Sequence, residues 1–217
     1  MTKRKFKIGI SSRIVSADNY HEKRDAISHD WSQFLEKLES NMIIIPNTLT
    51  DVEAFLDEIG VEGIILSGGD DIGDDPERDK TENKIIDFTI KNKIPLFGVC
   101  RGMQVINKYF GGFIETNYQS KHVGKPHTIE LTNPVFSSFL KTNSLIVNSF
   151  HKNIIKPSTL GKNLEPFAVV KNDKTIEGFF HKSIPIVGVM WHPERDPNFN
   201  NQLILREVFY EKSFWKK

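Results

Sequence analysis

Short apolar runs recur through the first half of the chain, at Phe6 to Ile10, Met42 to Ile45, Gly63 to Leu66 and Ile94 to Val99. Between them lie longer charged segments in which apolar residues return every three or four positions, as in Ile27, Trp31, Phe34, Leu35 and Leu38, or Ile85, Ile86, Phe88 and Ile90. A strand that is apolar at every position is covered on both faces, so this alternation predicts an α/β fold with a mainly parallel central sheet flanked by helices. A helix is expected from just after Cys100 to about Phe110, closed by the left-handed cap that Gly111 and Gly112 supply. The rhythm then changes. His127 to Leu131, Leu145 to Val147, Phe167 to Val170, Ile176 to Phe180 and Ile186 to Trp191 follow with little helix between them until Asn201 to Tyr210, which predicts antiparallel strands appended to the parallel core. No repeat, low-complexity tract or linker divides the chain, so a single domain over residues 1–217 is expected.

Charge narrows the partners. Lys and Arg number 29 against 28 Asp and Glu, a formal net charge of +1, so the chain has no global field that would draw it to nucleic acid or a membrane surface. The single cysteine cannot form an intramolecular disulfide, and no apolar run approaches the ~20 residues that span a bilayer. The apolar stretch after Lys7 is too short for a signal-peptide core, and a cytoplasmic location is the expectation.

Chemistry concentrates at Gly98-Val99-Cys100-Arg101-Gly102, where a buried strand runs into a helix with glycine two residues either side of the only cysteine. This is a nucleophile elbow, a strained turn that projects a side chain at the carboxyl end of a sheet and for which glycine is expected at both flanks. The helix N-terminus favours thiolate over thiol, and the Arg101 amide points where an oxyanion would form. A small core cysteine is the competing reading. Of the seven histidines, His21, His29, His122, His127 and His181 lie in polar contexts and are expected to be solvated or satisfied. His192 follows a buried strand and precedes Pro193 and Glu194. Pro193 keeps His192 out of the helical region, so in an extended segment His192 and Glu194 point to one side and form a base and its orienter for Cys100. Ser67-Gly68-Gly69 ends another apolar strand, and the amide of Gly69 is the expected second oxyanion donor. The acidic run Asp70, Asp71, Asp74 and Asp75 lacks the register of a calcium loop, so no metal and no cofactor are expected.

With Gly-Val-Cys-Arg-Gly-Met-Gln, Leu-Ser-Gly-Gly-Asp-Asp, Val-Asn-Ser-Phe-His and Trp-His-Pro-Glu in this order, the chain from about Lys7 onward resembles the class I glutamine amidotransferase-like superfamily, and within it the gamma-glutamyl hydrolase family. The resemblance implies a flavodoxin-like sheet. It also implies attack by Cys100 on a γ-glutamyl carbonyl to give a glutamyl thioester, proton transfer by His192 oriented by Glu194, and oxyanion stabilisation by the Gly69 and Arg101 amides. Asp71, Gln104, Asn148, Ser149, Phe150 and His151 would grip the glutamyl moiety. Two departures stand out: the segment Gly73 to Arg78 is a short loop, and Lys152, not glutamine, follows His151. The compact form is similar to members acting on nucleotide-linked γ-glutamyl amidates in capsule synthesis, with Lys121, His122, Lys125, His127 and Lys152 on the leaving-group side. The partner expected is therefore a small γ-glutamyl compound, with a homodimer left open. A glutaminase subunit feeding ammonia to a synthetase is the alternative, and an inactive binding module is disfavoured because all three reactive residues are present.

Overall fold

In the computed structural model, which describes residues 4–116, 124–212 and 215, the apolar runs are strands. The first half runs β1 (Phe6–Ser11), the hairpin β2 (Arg13–Ser16) and β3 (Lys23–Ala26), α1 (His29–Lys37), β4 (Ser40–Ile45), α2 (Val52–Ile59), β5 (Gly63–Leu66), α3 (Pro76–Asn92), β6 (Leu96–Val99) and α4 (Arg101–Tyr109). The second half adds β7 (Glu115–Thr116), β8 (His127–Leu131), α5 (Pro134–Leu140), β9 (Ser144–Val147), β10 (Asn153–Ile154), β11 (Leu164–Val170), β12 (Ile176–His181), β13 (Ile186–Val189) and α6 (Phe199–Arg206).

Nine strands form the central sheet in the order β4-β1-β5-β6-β13-β12-β11-β8-β9. From β4 to β13 every pairing is parallel, and from β13 to β9 every pairing is antiparallel. The α/β architecture expected from the hydrophobic pattern is therefore the one observed. Every residue of β5, β6 and β13 is buried, because helices cover both faces: α1, α5 and α6 pack on one, and α2, α3 and α4 on the other. Residues such as Trp31, Phe34 and Leu35 of α1 explain the helical spacing read from the sequence. Ser28 caps α1 by accepting from the Asp30 amide, and Asp51 caps α2 by accepting from Ala54.

The β2–β3 hairpin and two helices lie outside the sequence pattern. The hairpin β2–β3 is mostly polar and pairs away from the main sheet. Helix α2 and helix α5 are only eight and seven residues long, too short for periodicity to declare itself. Helix α5 nonetheless buries Phe136, which stacks on Phe167 of β11 at 3.7 Å between ring centroids. At the end of α4 only Gly111 is left-handed; a side chain on Gly112 would run into Asn107 instead. Among the described residues no helix is long and apolar enough to cross a membrane.

Candidate active site

Strands β5, β6 and β13 are neighbours, so their carboxyl ends bring Ser67 to Gly69, Cys100 and the segment leading to His192 to one edge of the sheet. Cys100 sits between β6 and α4 with φ 51° and ψ −106°, a conformation that L-residues rarely adopt. Its amide donates to the Val189 carbonyl at 2.8 Å, which ties the turn to β13. The flanking glycines have a different reason from the one expected. Neither has positive φ; a Cβ on Gly102 would collide with the Leu66 carbonyl, and one on Gly98 with Ile106 and Gly102. The strain sits on the cysteine, and the glycines let α4 lie against β5 and β6.

His192 and Glu194 are neighbours, again by a different route. His192 is extended, but Pro193–Arg195 form a 3-10 turn, so Glu194 comes back beside the ring by turning rather than by strand alternation. The ring Nδ1 lies 2.7 Å from Glu194 Oε1, leaving Nε2 for Cys100. Burial alone would push the His192 pKa down; hydrogen bonds to Cys100 and Glu194, with their charge, outweigh it and raise the pKa to about 9. At neutral pH the ring is thus an imidazolium whose Nδ1–H donates to Glu194. Asn148 clamps this segment: its Nδ2 donates to His192 O and its Oδ1 accepts from His192 N, both at 2.8 Å. Its side chain is therefore held against the His192 backbone. Phe150 meets the His192 ring edge-on at 5.6 Å, and Arg195 lies over Phe150 at 4.4 Å. On the far flank Gly68 packs against the imidazole with no room for a side chain.

A cleft of about 520 Å³ opens over Cys100 and is lined by Gly69, Asp71, Arg101, Gln104, Phe150 and His151, with Lys152 at its edge. Asn153 Nδ2 donates to Asp71 Oδ1 at 2.8 Å, joining the two walls. Gln104 is buried one helical turn after Cys100, where its amide donates to the Cys100 carbonyl and its Nε2 approaches Met190 Sδ at 3.7 Å. Ser149 is buried and does not line the cleft.

His151 is buried with Nδ1 3.0 Å from the Asn153 carbonyl and Nε2 3.8 Å from Glu177 Oε1; burial pushes its pKa down, so its ring is neutral. Two of the histidines expected to be solvated or satisfied are buried beside partners. The His127 side chain is only 9% exposed and stands 3.6 Å from Glu177 Oε2. His181 is buried, with Nδ1 accepting from the amides of Ser183 and Ile184. Lys121 and His122 lie outside the described residues, and Lys125 is exposed. Among the described residues no group of three or more His, Cys, Asp or Glu side chains is placed to hold a metal ion.

One buried set of charged side chains is not signalled by the hydrophobic pattern. Arg78, assigned to a short loop, lies in the first turns of α3 and is 1% exposed. With Asp79 and Glu82 of the same helix it meets the buried side chain of Arg101. An acid three or four positions from a basic residue, starting at Pro76, was the available signal.

An elbow cysteine beside a buried histidine at the carboxyl edge of a mainly parallel sheet defines the class, and residues 18–212 match the glutamine amidotransferase class-I family model: the chain belongs to that family of enzymes. It is 35% identical over 209 residues to the gamma-glutamyl-CDP-amidate hydrolase of Campylobacter jejuni, an alignment that covers 93% of this chain and 96% of that protein. It is also 30% identical over 181 residues to aminodeoxychorismate/anthranilate synthase component 2 of Bacillus subtilis, covering 83% and 87% of the two chains. A crystal structure from Thermoplasma acidophilum, assigned as a GMP synthase subunit, superposes with a TM-score of 0.73 at 22% identity, covering 99% of this chain and all of that one, and shares the fold.

Proposed function

We propose that this enzyme is a cysteine-dependent hydrolase of γ-glutamyl amides. The observation that carries the reading is the buried His192 ring, hydrogen-bonded to Glu194 on one side and on the other to Cys100, which lines an open polar cleft. The Cys100 thiolate adds to the γ-carbonyl carbon, and the carbonyl π pair moves to oxygen, where the amides of Gly69 and Arg101 accommodate it. Collapse breaks the carbon–nitrogen bond as the leaving nitrogen takes a proton from His192. Water then adds to the glutamyl thioester, giving its proton to His192, and glutamate leaves as Cys100 is regenerated. The zwitterionic end of the glutamyl group would be read by Asp71, Gln104, His151 and the backbone of Asn148 to Phe150.

For the leaving group, γ-glutamyl-CDP-amidate is the substrate we favour, because similarity to the Campylobacter hydrolase runs through nearly the whole of both chains. With that substrate the enzyme would serve capsule phosphoramidate synthesis, and Lys152 at the cleft edge, with Lys125, would face the anionic leaving group. Similarity to synthase components supports a second reading, a glutaminase subunit supplying ammonia to a partner. Glutamate release from a panel of γ-glutamyl compounds, nucleotide-linked ones included, tests both. The hydrolase reading expects turnover by the chain alone that disappears in Cys100→Ala. Silence on every compound, relieved by adding cell extract, would favour the subunit.

A further inference from the structure

Beneath the edge of the sheet lies a buried charge network that binds the backbone of the Ser67–Gly68 turn and the side chain of Arg101. Arg78 donates through Nη2 to the Ser67 carbonyl at 2.9 Å, the Ser67 hydroxyl at 3.1 Å and the Gly68 carbonyl at 3.0 Å, and through Nε to Glu82 Oε1 at 2.9 Å. Glu82, fully buried, also accepts from the Ser11 hydroxyl at 2.8 Å and from the Arg101 guanidinium, which in turn reaches Asp79. Ser11 closes the circuit. Its Oγ accepts from the Ser67 amide at 3.1 Å, and its carbonyl accepts from the Ser67 hydroxyl at 2.7 Å.

We propose that Arg78 and Glu82 are positioning residues that align the two oxyanion donors, the amides of Gly69 and Arg101. The proposal rests on the hydrolase reading above. Its core is the planarity of one peptide: the Gly68 carbonyl that Arg78 binds and the Gly69 N–H that would face the oxyanion belong to the same rigid unit, so holding one end sets the direction of the other. Donation to that carbonyl also polarises the unit and strengthens its N–H as a donor. Gly69 has φ 148°, and a Cβ there would run into Arg78 Nη1, so the guanidinium lies directly against this residue. Nη1 itself is buried with no partner among the described residues, which adds positive potential beside the loop. Glu82 also binds the guanidinium of Arg101, the residue whose amide is the second donor, and so links both donor residues through one carboxylate.

Packing alone does not explain such a network. Apolar groups of similar volume fill space at least as well as buried ion pairs, whose desolvation cost is large. Directional bonds to carbonyl oxygens instead fix a peptide plane, and an oxyanion site works only within ~0.5 Å and 10–20° of its best geometry.

The test compares Arg78→Met, Arg78→Lys and Glu82→Gln with wild type in two reactions of the same preparation. Hydrolysis of γ-glutamyl p-nitroanilide needs an oxyanion site. Alkylation of Cys100 by iodoacetamide needs the thiolate but no oxyanion. Full loss of one such donor costs roughly 10²–10³ in kcat, so misalignment should lower kcat about ten- to a hundredfold, with KM within about threefold and alkylation within about twofold of wild type. Hydrolysis within about twofold of wild type in Arg78→Lys and Glu82→Gln would overturn the proposal. So would hydrolysis and alkylation falling together, which marks a fold-maintaining role only. Should Arg78→Met not fold, the two conservative variants decide. Failure of the hydrolase reading looks different: it is full activity in Cys100→Ala, whatever residue stands at 78.

Discussion

Cys100, the proposed nucleophile, is only 7% exposed: Cys100→Ala is expected to lose all measurable glutamate release while still folding cooperatively in denaturant unfolding. His192 carries the pH dependence. Its pKa is raised to about 9, so the ring stays protonated through neutrality and loses its proton as pH rises through that value. If imidazolium protonates the leaving nitrogen, kcat/KM should fall on an alkaline limb near pH 9. Glu194→Gln removes one of the two groups that raise the pKa. The limb should move toward neutrality and kcat should drop roughly tenfold to a thousandfold, less than in Cys100→Ala. An unmoved limb in a pH–rate profile would assign it to another group.

At the level of elements, the elbow depends on close approach of α4 to β5. Gly102→Ala puts a methyl group into the Leu66 carbonyl, and a backbone oxygen cannot rotate away as a side chain can. Overpacking of this kind costs ~1–3 kcal/mol or more, and the upper end is expected in denaturant unfolding, with activity lost in the same variant. The turn between β12 and β13 rests on His181, whose Nδ1 accepts two backbone amides. Burial lowers its pKa below the ordinary 6.5. The unfolded chain therefore takes up the proton first on acidification, and stability is lost as pH falls below about 6.5. Denaturation midpoints measured between about pH 7 and pH 5 should fall in wild type and fall less in His181→Asn, which keeps an acceptor that does not titrate. His151, lowered in the same direction, keeps some slope in both.

Across the molecule, the cleft has walls from opposite halves of the chain. The Gly69 to Asp74 segment follows β5, the Phe150 to Asn153 segment follows β9 at the antiparallel edge of the sheet, and the Asn153–Asp71 hydrogen bond joins them. The two ends of a substrate should accordingly respond to different changes. Neutralising Lys125 and Lys152 together is expected to weaken hydrolysis of a phosphate-bearing γ-glutamyl substrate at least about tenfold in kcat/KM, while slow hydrolysis of glutamine stays within about twofold. Equal losses on both would remove the lysines from leaving-group recognition.

The hydrophobic pattern by itself determined the parallel core, because strands buried on both faces must be apolar at every position and Phe6 to Ile10, Gly63 to Leu66 and Leu96 to Val99 are mostly so. It also pointed to Cys100, which directly follows a buried strand, and to His192, which lies three residues past another, because strand ends gather at one edge. Short elements escaped it: α5 has a capping asparagine and an N-terminal proline but only seven residues, fewer than two full turns of pattern. Only the tertiary structure decided how the pieces work together. It placed the strain on Cys100 rather than on its glycines, drew Glu194 round by a 3-10 turn, gave the Asn148 side chain to the His192 backbone, and turned Arg78, Glu82 and the Arg101 side chain inward beneath the loop. Charged residues read as solvent-facing in a sequence because burying a charge is costly in isolation. Partners 19 to 71 residues away along the chain, as Arg101 and Ser11 are from Glu82, offset that cost only once the sheet has assembled.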